Sequence, residues 1–223
     1  MKPILAFDVY GTLVDPMGMA ELLAPDAGEA AESVSAQWRE KQLEFSFRKG
    51  LMRMYEDFGA CTRQALRYAM ASHGLSLSGE REDELMGAYL SLPAFDDSLP
   101  ALESLKGKYR MFAFSNGTYP ALEKVLGHNN LLNQFDGLVS VDDIKSFKPD
   151  PAVYAYARRA TGAMDKPLCL VSSNAWDVIG ARAAGLTAIW VQRDAGKVFE
   201  DWGIEPNAVV RSLSELPATL ANL

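Results

Sequence analysis

The sequence predicts an α/β protein: a mostly parallel sheet core with helices on both faces and an inserted all-helical segment. Three observations carry this. Short apolar runs end in polar residues at Ile4–Phe7, 111–114, 168–171 and Thr187–Val191, and continuous rather than alternating runs fit strands covered on both faces. Helical patterns follow the turns after the second and third runs, and strands alternating with helices imply right-handed crossovers into a parallel sheet. Residues 15–92, by contrast, carry apolar and charged residues at helical spacing with no convincing strand.

Taken in order, Ile4–Phe7 is a buried strand ended by Asp8, with Gly11 just beyond to make a turn. The inserted segment then offers helices over 30–54, 62–73 and 82–90. The chain returns to the core near 93–100, so the expected division is a core of 1–14 and 93–223 with a helical cap of 15–92. The later strands run into Ser115-Asn116-Gly117, Ser172-Ser173-Asn174 and Gln192-Arg193. Ligands of open parallel sheets bind at the carboxyl ends of the strands. Asp8, Ser115 and the loop from Ser172 to Asp177 are therefore expected to converge, with the insertion closing over them.

The 223 residues are 48% hydrophobic, enough for a real core. A net charge of -7 argues against a nucleic-acid partner, which would need a basic surface. No run approaches the ~20 apolar residues of a membrane span. The apolar start is broken at once by Asp8, unlike a signal peptide. The two cysteines, Cys61 and Cys169, match no metal or redox spacing. A soluble cytoplasmic protein is expected. His73 and His128 fall in no motif and are expected on the surface.

Four short motifs lie at these strand ends. Asp8-Val9-Tyr10-Gly11-Thr12, Ser115-Asn116-Gly117, Lys148-Pro149 and Ser172-Ser173-Asn174-Ala175-Trp176-Asp177 resemble, in order, the four motifs of the haloacid dehalogenase superfamily. In the insertion, Trp38-Arg39-Glu40-Lys41-Gln42-Leu43-Glu44 and Tyr55-Glu56-Asp57-Phe58 resemble the cap helices of its L-2-haloacid dehalogenase branch. The resemblance covers nearly the whole chain and implies a Rossmann-like core, a cap, and often a homodimer joined through cap helices.

The chemistry the resemblance implies is nucleophilic catalysis by a carboxylate at Asp8, which splits one hard step into two. Phosphatases of the superfamily carry a second Asp two residues on, to protonate a leaving alcohol; here that residue is Tyr10. The fourth motif supplies one acid, Asp177, where Mg²⁺ would call for further hard oxygen ligands. A halide needs no protonation, so the pattern suits metal-independent carbon–halogen cleavage, with no metal or organic cofactor. A buried carboxylate left unpaired tends to protonate and lose its nucleophilicity. Lys148, positioned by Asp177, is expected to supply the pairing cation, with Tyr154 hydrogen-bonding nearby.

By resemblance, Arg39 and Asn116 receive the departing halide, and a weakly hydrated guanidinium suits a desolvated anion. Ser115 and neighbouring backbone N–H groups grip the substrate carboxylate, since donors at a strand-to-helix turn suit anions. Thr12 contacts Asp8, and Asp177 with Lys148, Ser172 and Asn174 orients or activates the hydrolytic water. Tyr10, Leu43, Phe58 and Trp176 form an apolar wall around the attacked carbon. The implied substrate is a small 2-haloacid, with halide as co-product. Glu40 stands where similar dehalogenases carry Gln, which opens the question of substrate range. The rivals are the same site acting on haloacetate, fluoroacetate or a strained carboxylate such as azetidine-2-carboxylate; a phosphatase; and a non-catalytic binding protein. The complete set Asp8, Thr12, Ser115, Lys148 and Asp177 argues against the last.

Overall fold

The computed structural model describes residues 2–223. Six strands form one parallel sheet: β1 (Ile4–Phe7), β2 (Met111–Ser115), β3 (Gly137–Ser140), β4 (Leu168–Ser172), β5 (Thr187–Val191) and β6 (Ala208–Val210). Their spatial order is β3-β2-β1-β4-β5-β6. The chain builds outward from β1 on one side and then switches to β4 on the other. The crevice at the carboxyl end of β1 lies at this reversal, where such sheets bind ligands.

The continuous apolar runs are explained by two cores, one on each face. Leu5 and Phe7 of β1 join one buried cluster, while Ile4 and Ala6 join the other. Met111 and Ala113 of β2 divide from Phe112 and Phe114 in the same way. Each of the large side chains among them, such as Leu5, Phe7 and Phe114, contributes roughly 1.5–3 kcal/mol.

The stretch after β1 holds α1 (Met19–Ala27), α2 (Ala31–Met52), α3 (Phe58–Ser72) and α4 (Gly79–Tyr89). Asp57 and Ser78 start α3 and α4 by accepting from the N–H groups of Ala60 and Arg81. Trp38 Nε1 on α2 donates 2.7 Å to the Thr62 carbonyl on α3 and ties the two together. The outgoing and returning segments run side by side: Asp15 N donates to Pro93 O at 2.9 Å and Phe95 N to Leu13 O at 3.0 Å. The remaining helices, α5 (Ser98–Leu105), α6 (Tyr119–His128), α7 (Pro151–Ala160), α8 (Ala175–Ala183) and α9 (Leu216–Ala221), cover the sheet. No helix among the described residues is long and apolar enough to cross a membrane.

The structure adds to the sequence reading in three places. The edge strands β3 and β6 escape a search for apolar runs because they are short and half-exposed. Helix α1, interrupted by Pro25, gives no clean periodic pattern. His73 is half-buried rather than on the surface: its ring closes α3, with Nδ1 3.0 Å from Ala69 O and Nε2 3.1 Å from Ser33 Oγ. His128 is exposed as expected. Both cysteines are buried and unpaired, and burial pushes the Cys61 thiol up to about 11 and that of Cys169 up to about 12.

Candidate active site

Asp8 follows β1 directly, and its backbone N–H donates 3.0 Å to Val171 O of β4. Its loop turns at Gly11, whose φ of +89° lies where a side chain is strained. Asp8 is 6% exposed, and its two carboxylate oxygens have different surroundings. Oδ2 accepts from Thr12 Oγ1 at 2.8 Å, Asn174 Nδ2 at 2.8 Å and Ser172 Oγ at 3.3 Å. Oδ1 accepts from Lys148 Nζ alone, at 3.2 Å. The Thr12 hydroxyl is aimed by its own acceptor duty: Ser173 N donates to it at 2.9 Å, which leaves its proton for Asp8.

Lys148 lies behind Asp8, 1% exposed. Its three donors have three acceptors: Asp8 Oδ1, the Phe114 carbonyl at 2.9 Å and Asp177 Oδ2 at 2.8 Å. Asp177 is fully buried, and its Oδ1 accepts from the Tyr154 hydroxyl at 2.8 Å. Burial pushes the Asp177 carboxyl above the usual carboxylate range and nearby Asp8 adds to the rise, while Lys148 and the Tyr154 hydroxyl pull it back. Burial, and then Asp177, push the Tyr154 phenol far up, so it stays a donor. This packing needs Gly180 on α8: a Cβ there would meet the Tyr154 hydroxyl at 2.5 Å and Pro149 Cβ at 2.7 Å.

In front of Asp8 is a tight cavity lined by Asp8, Tyr10, Arg39, Leu43, Phe58, Ser115, Asn116, Asn174 and Trp176. Its volume is about 10 Å³, room for about one water. All nine lining residues are ones the sequence singled out. Thr12, Lys148, Tyr154, Ser172 and Asp177 sit beneath them, bonded to Asp8 or to each other. Ser115 Oγ accepts from Gly117 N at 3.1 Å, which frees its proton for an anion in the cavity. Asn116 Oδ1 accepts from Lys148 N at 2.9 Å, so its amide nitrogen is the end left for the cavity. Burial, then Tyr89, push the Tyr10 phenol above its ordinary range although Arg39 opposes them, which makes it a neutral wall.

Arg39 reaches this cavity from α2. Its Nη1 donates 2.7 Å to Gln42 Oε1, and its Nη2 donates 3.3 Å to the Tyr10 carbonyl. Glu40 is exposed and does not line the cavity. Its side chain points away because successive helix residues face different directions. Among the described residues, no group of three or more His, Cys, Asp or Glu side chains is arranged to hold a metal ion.

Sequence reasoning passed over two groups that touch this machinery. Gln42, one turn from Trp38, lies on the same buried face of α2; that spacing was the available signal. Arg193 after β5 donates 2.6 Å to the Thr12 carbonyl and is held by both Asp97 oxygens at 2.7 and 2.8 Å. No local pattern announces that contact.

The haloacid dehalogenase-like hydrolase family model matches residues 3–185. An (S)-2-haloacid dehalogenase of Pseudomonas fluorescens is 36% identical over 217 residues, 97% of this chain and 95% of its own. (S)-2-haloacid dehalogenase 1 of Pseudomonas sp. (strain CBS-3) is 38% identical over 226 residues, covering 100% of this chain and 99% of its own. The structure of L-2-haloacid dehalogenase from Xanthobacter autotrophicus with chloropropionic acid covalently bound superposes with a TM-score of 0.93 at 28% identity, covering 100% of both chains.

Proposed function

The chain belongs to the haloacid dehalogenase-like hydrolase family, in its L-2-haloacid dehalogenase branch, and on that premise we propose that it is a metal-independent (S)-2-haloacid dehalogenase working through an ester at Asp8. The observation that carries this is the unequal holding of the Asp8 oxygens. Three donors fix Oδ2, two of them at 2.8 Å, whereas Oδ1 has a single contact at 3.2 Å. Oδ1 is thus the oxygen freer to attack.

In the first step Ser115 and adjacent backbone N–H groups hold the substrate carboxylate. Oδ1 forms a bond to C2 from the side opposite the halogen, and the carbon–halogen bond breaks. The halide leaves with the electron pair towards Arg39 and Asn116, both of which line the cavity. C2 is inverted. The walls of Tyr10, Leu43, Phe58 and Trp176 keep that carbon from water.

In the second step water attacks Cγ of Asp8. Negative charge then builds on Oδ2, which already faces Thr12, Asn174 and Ser172; donors aimed at developing charge are the main means of lowering such a barrier. Once alkylated, Oδ1 is no longer an anionic partner for Lys148, and the water meets the Lys148–Asp177 pair. Asp177 takes the proton as general base, a task its raised pKa suits. The Cγ–Oδ1 bond breaks, the 2-hydroxyacid leaves carrying Oδ1 and that proton, and the water oxygen remains on Asp8, whose carboxyl gives up the water's second proton to solvent and returns to the anion. C2 is untouched, so the inversion persists.

The cation beside the two carboxylates is Lys148, so no step calls for a metal. The paired crossings at Asp15–Pro93 and Leu13–Phe95 support a boundary between a core of 1–14 and 93–223 and a cap of 15–92. Exposed Leu51, Met52 and Met54 at the end of α2 support a homodimer through cap helices. The unpaired buried cysteines support a cytoplasmic location. The test is halide release from each enantiomer of 2-chloropropionate with EDTA present: chloride and (R)-lactate from the S enantiomer are expected. Activity abolished by EDTA, or retention at C2, rejects the proposal.

A further inference from the structure

Gln42 is 0% exposed in the middle of α2. A buried amide is costly unless its groups are bonded. Here they are: Oε1 accepts from Arg39 Nη1 at 2.7 Å and from the Tyr89 hydroxyl at 2.9 Å, and Nε2 donates to Thr62 Oγ1 at 2.6 Å. Thr62 Oγ1 in turn donates to the Phe58 carbonyl at 2.7 Å.

The network has one direction. A guanidinium has no acceptor, so the atom facing Arg39 must be the amide oxygen. The Thr62 proton is committed to a carbonyl, so Thr62 must accept, and the atom facing it must be the amide nitrogen. Turning the amide over would break both contacts at once. The orientation of Gln42, and with it the position of Arg39, is therefore set by α3 and α4. The core side of the seam completes the clamp: Arg39 Nη2 reaches the Tyr10 carbonyl, which also accepts from Asn174 at 3.2 Å.

From this geometry we infer that Gln42 is a positioning residue that holds the Arg39 guanidinium at the halide end of the cavity while leaving its charge free. It rests on the reading of Arg39 as the halide-receiving group. An untethered arginine loses rotamer freedom each time it is used, and Gln42 removes that cost in advance. A neutral acceptor is essential. A carboxylate in the same place would hold Arg39 more firmly but pair with its charge, leaving less for the departing halide. Because a carboxylate also loses the donor facing Thr62, a purely structural role predicts a lower melting temperature for Gln42→Glu, but not a weakened bromide inhibition in the variant that stays folded.

The test uses the full-length protein and the variants Gln42→Glu, Gln42→Leu, Thr62→Val, Arg39→Met and Arg39→Met/Gln42→Leu. Melting temperature, kcat and KM for (S)-2-chloropropionate, and inhibition by bromide are measured. Gln42→Glu, nearly isosteric, is expected to stay folded, to lose about tenfold to a hundredfold in kcat and to weaken bromide inhibition similarly. Thr62→Val should shift both in the same direction by less, and keeps the test open if Gln42→Leu does not fold. In the double variant, loss of Gln42 should add less than about twofold to loss of Arg39, as for groups acting as one unit. Full additivity overturns the inference. So does a Gln42→Glu enzyme within about twofold of wild type while Arg39→Met is impaired, and that outcome leaves the reading of Arg39 intact. If Arg39→Met changes neither kcat nor bromide inhibition, the reading beneath the inference fails instead.

Discussion

Lys148 Nζ donates to Asp177 Oδ2 at 2.8 Å, with 1% and 0% of the two side chains exposed. A buried pair of this kind is costly to break, because the remaining charge has no water to turn to. Asp177→Asn keeps the shape but removes the charge facing Lys148 and the proposed base. Steady-state halide release should fall by about a hundredfold to ten-thousandfold.

As the proposed general base, the same carboxyl should set the acid limb of the pH profile. Burial raises its pKa above the usual carboxylate range, further raised by Asp8 and partly offset by Lys148. The proposed base acts as the anion, so kcat should rise with pH through that raised value and fall below it. A kcat profile whose acid limb lies within the ordinary carboxylate range contradicts this assignment, as does a limb unchanged in Asp177→Asn.

Asn174 is bonded to the Asp8 oxygen that carries charge in the second step, at 2.8 Å. Asn174→Ala should therefore slow ester hydrolysis more than halide release, with a loss of about a hundredfold to a thousandfold. Intact-mass measurement during turnover should find the alkylated protein accumulating, with peptide mapping placing the adduct on Asp8.

Much of this arrangement is legible in the sequence, for a physical reason. β1, β2, β4 and β5 are buried on both faces, so their apolar runs are unbroken, and each of the first three hands the chain to a polar turn at the crevice. Asp8, Ser115 and Ser172 can be found from that alone. β3 and β6 sit at the sheet edges, where less burial leaves less signal. Arg193 is invisible because its partner Asp97 lies 96 residues away. Glu40 drew attention by chemistry, but its exposure on α2 takes it out of the cavity, while buried Gln42 two residues on touches Arg39.

Substrate size should be governed by Phe58. It lines the tight cavity and also a neighbouring one of about 620 Å³, which shares Tyr10 as well. Tyr10 and Phe58 thus partition the two spaces. Phe58→Ala should join them, lowering kcat/KM for 2-chloropropionate and raising the relative rate with 2-bromohexanoate. Competition between the two substrates measures the shift; an unchanged ratio argues against the partition.

The covalent step at Asp8 is tested most directly by a single turnover of (S)-2-chloropropionate in ¹⁸O-water with enzyme in excess. Attack by Oδ1 followed by water at Cγ predicts one heavy oxygen in the peptide containing Asp8 and none in the lactate. Label in the lactate hydroxyl with none in Asp8 would mean that water attacks C2 directly, and would contradict nucleophilic catalysis by this carboxylate.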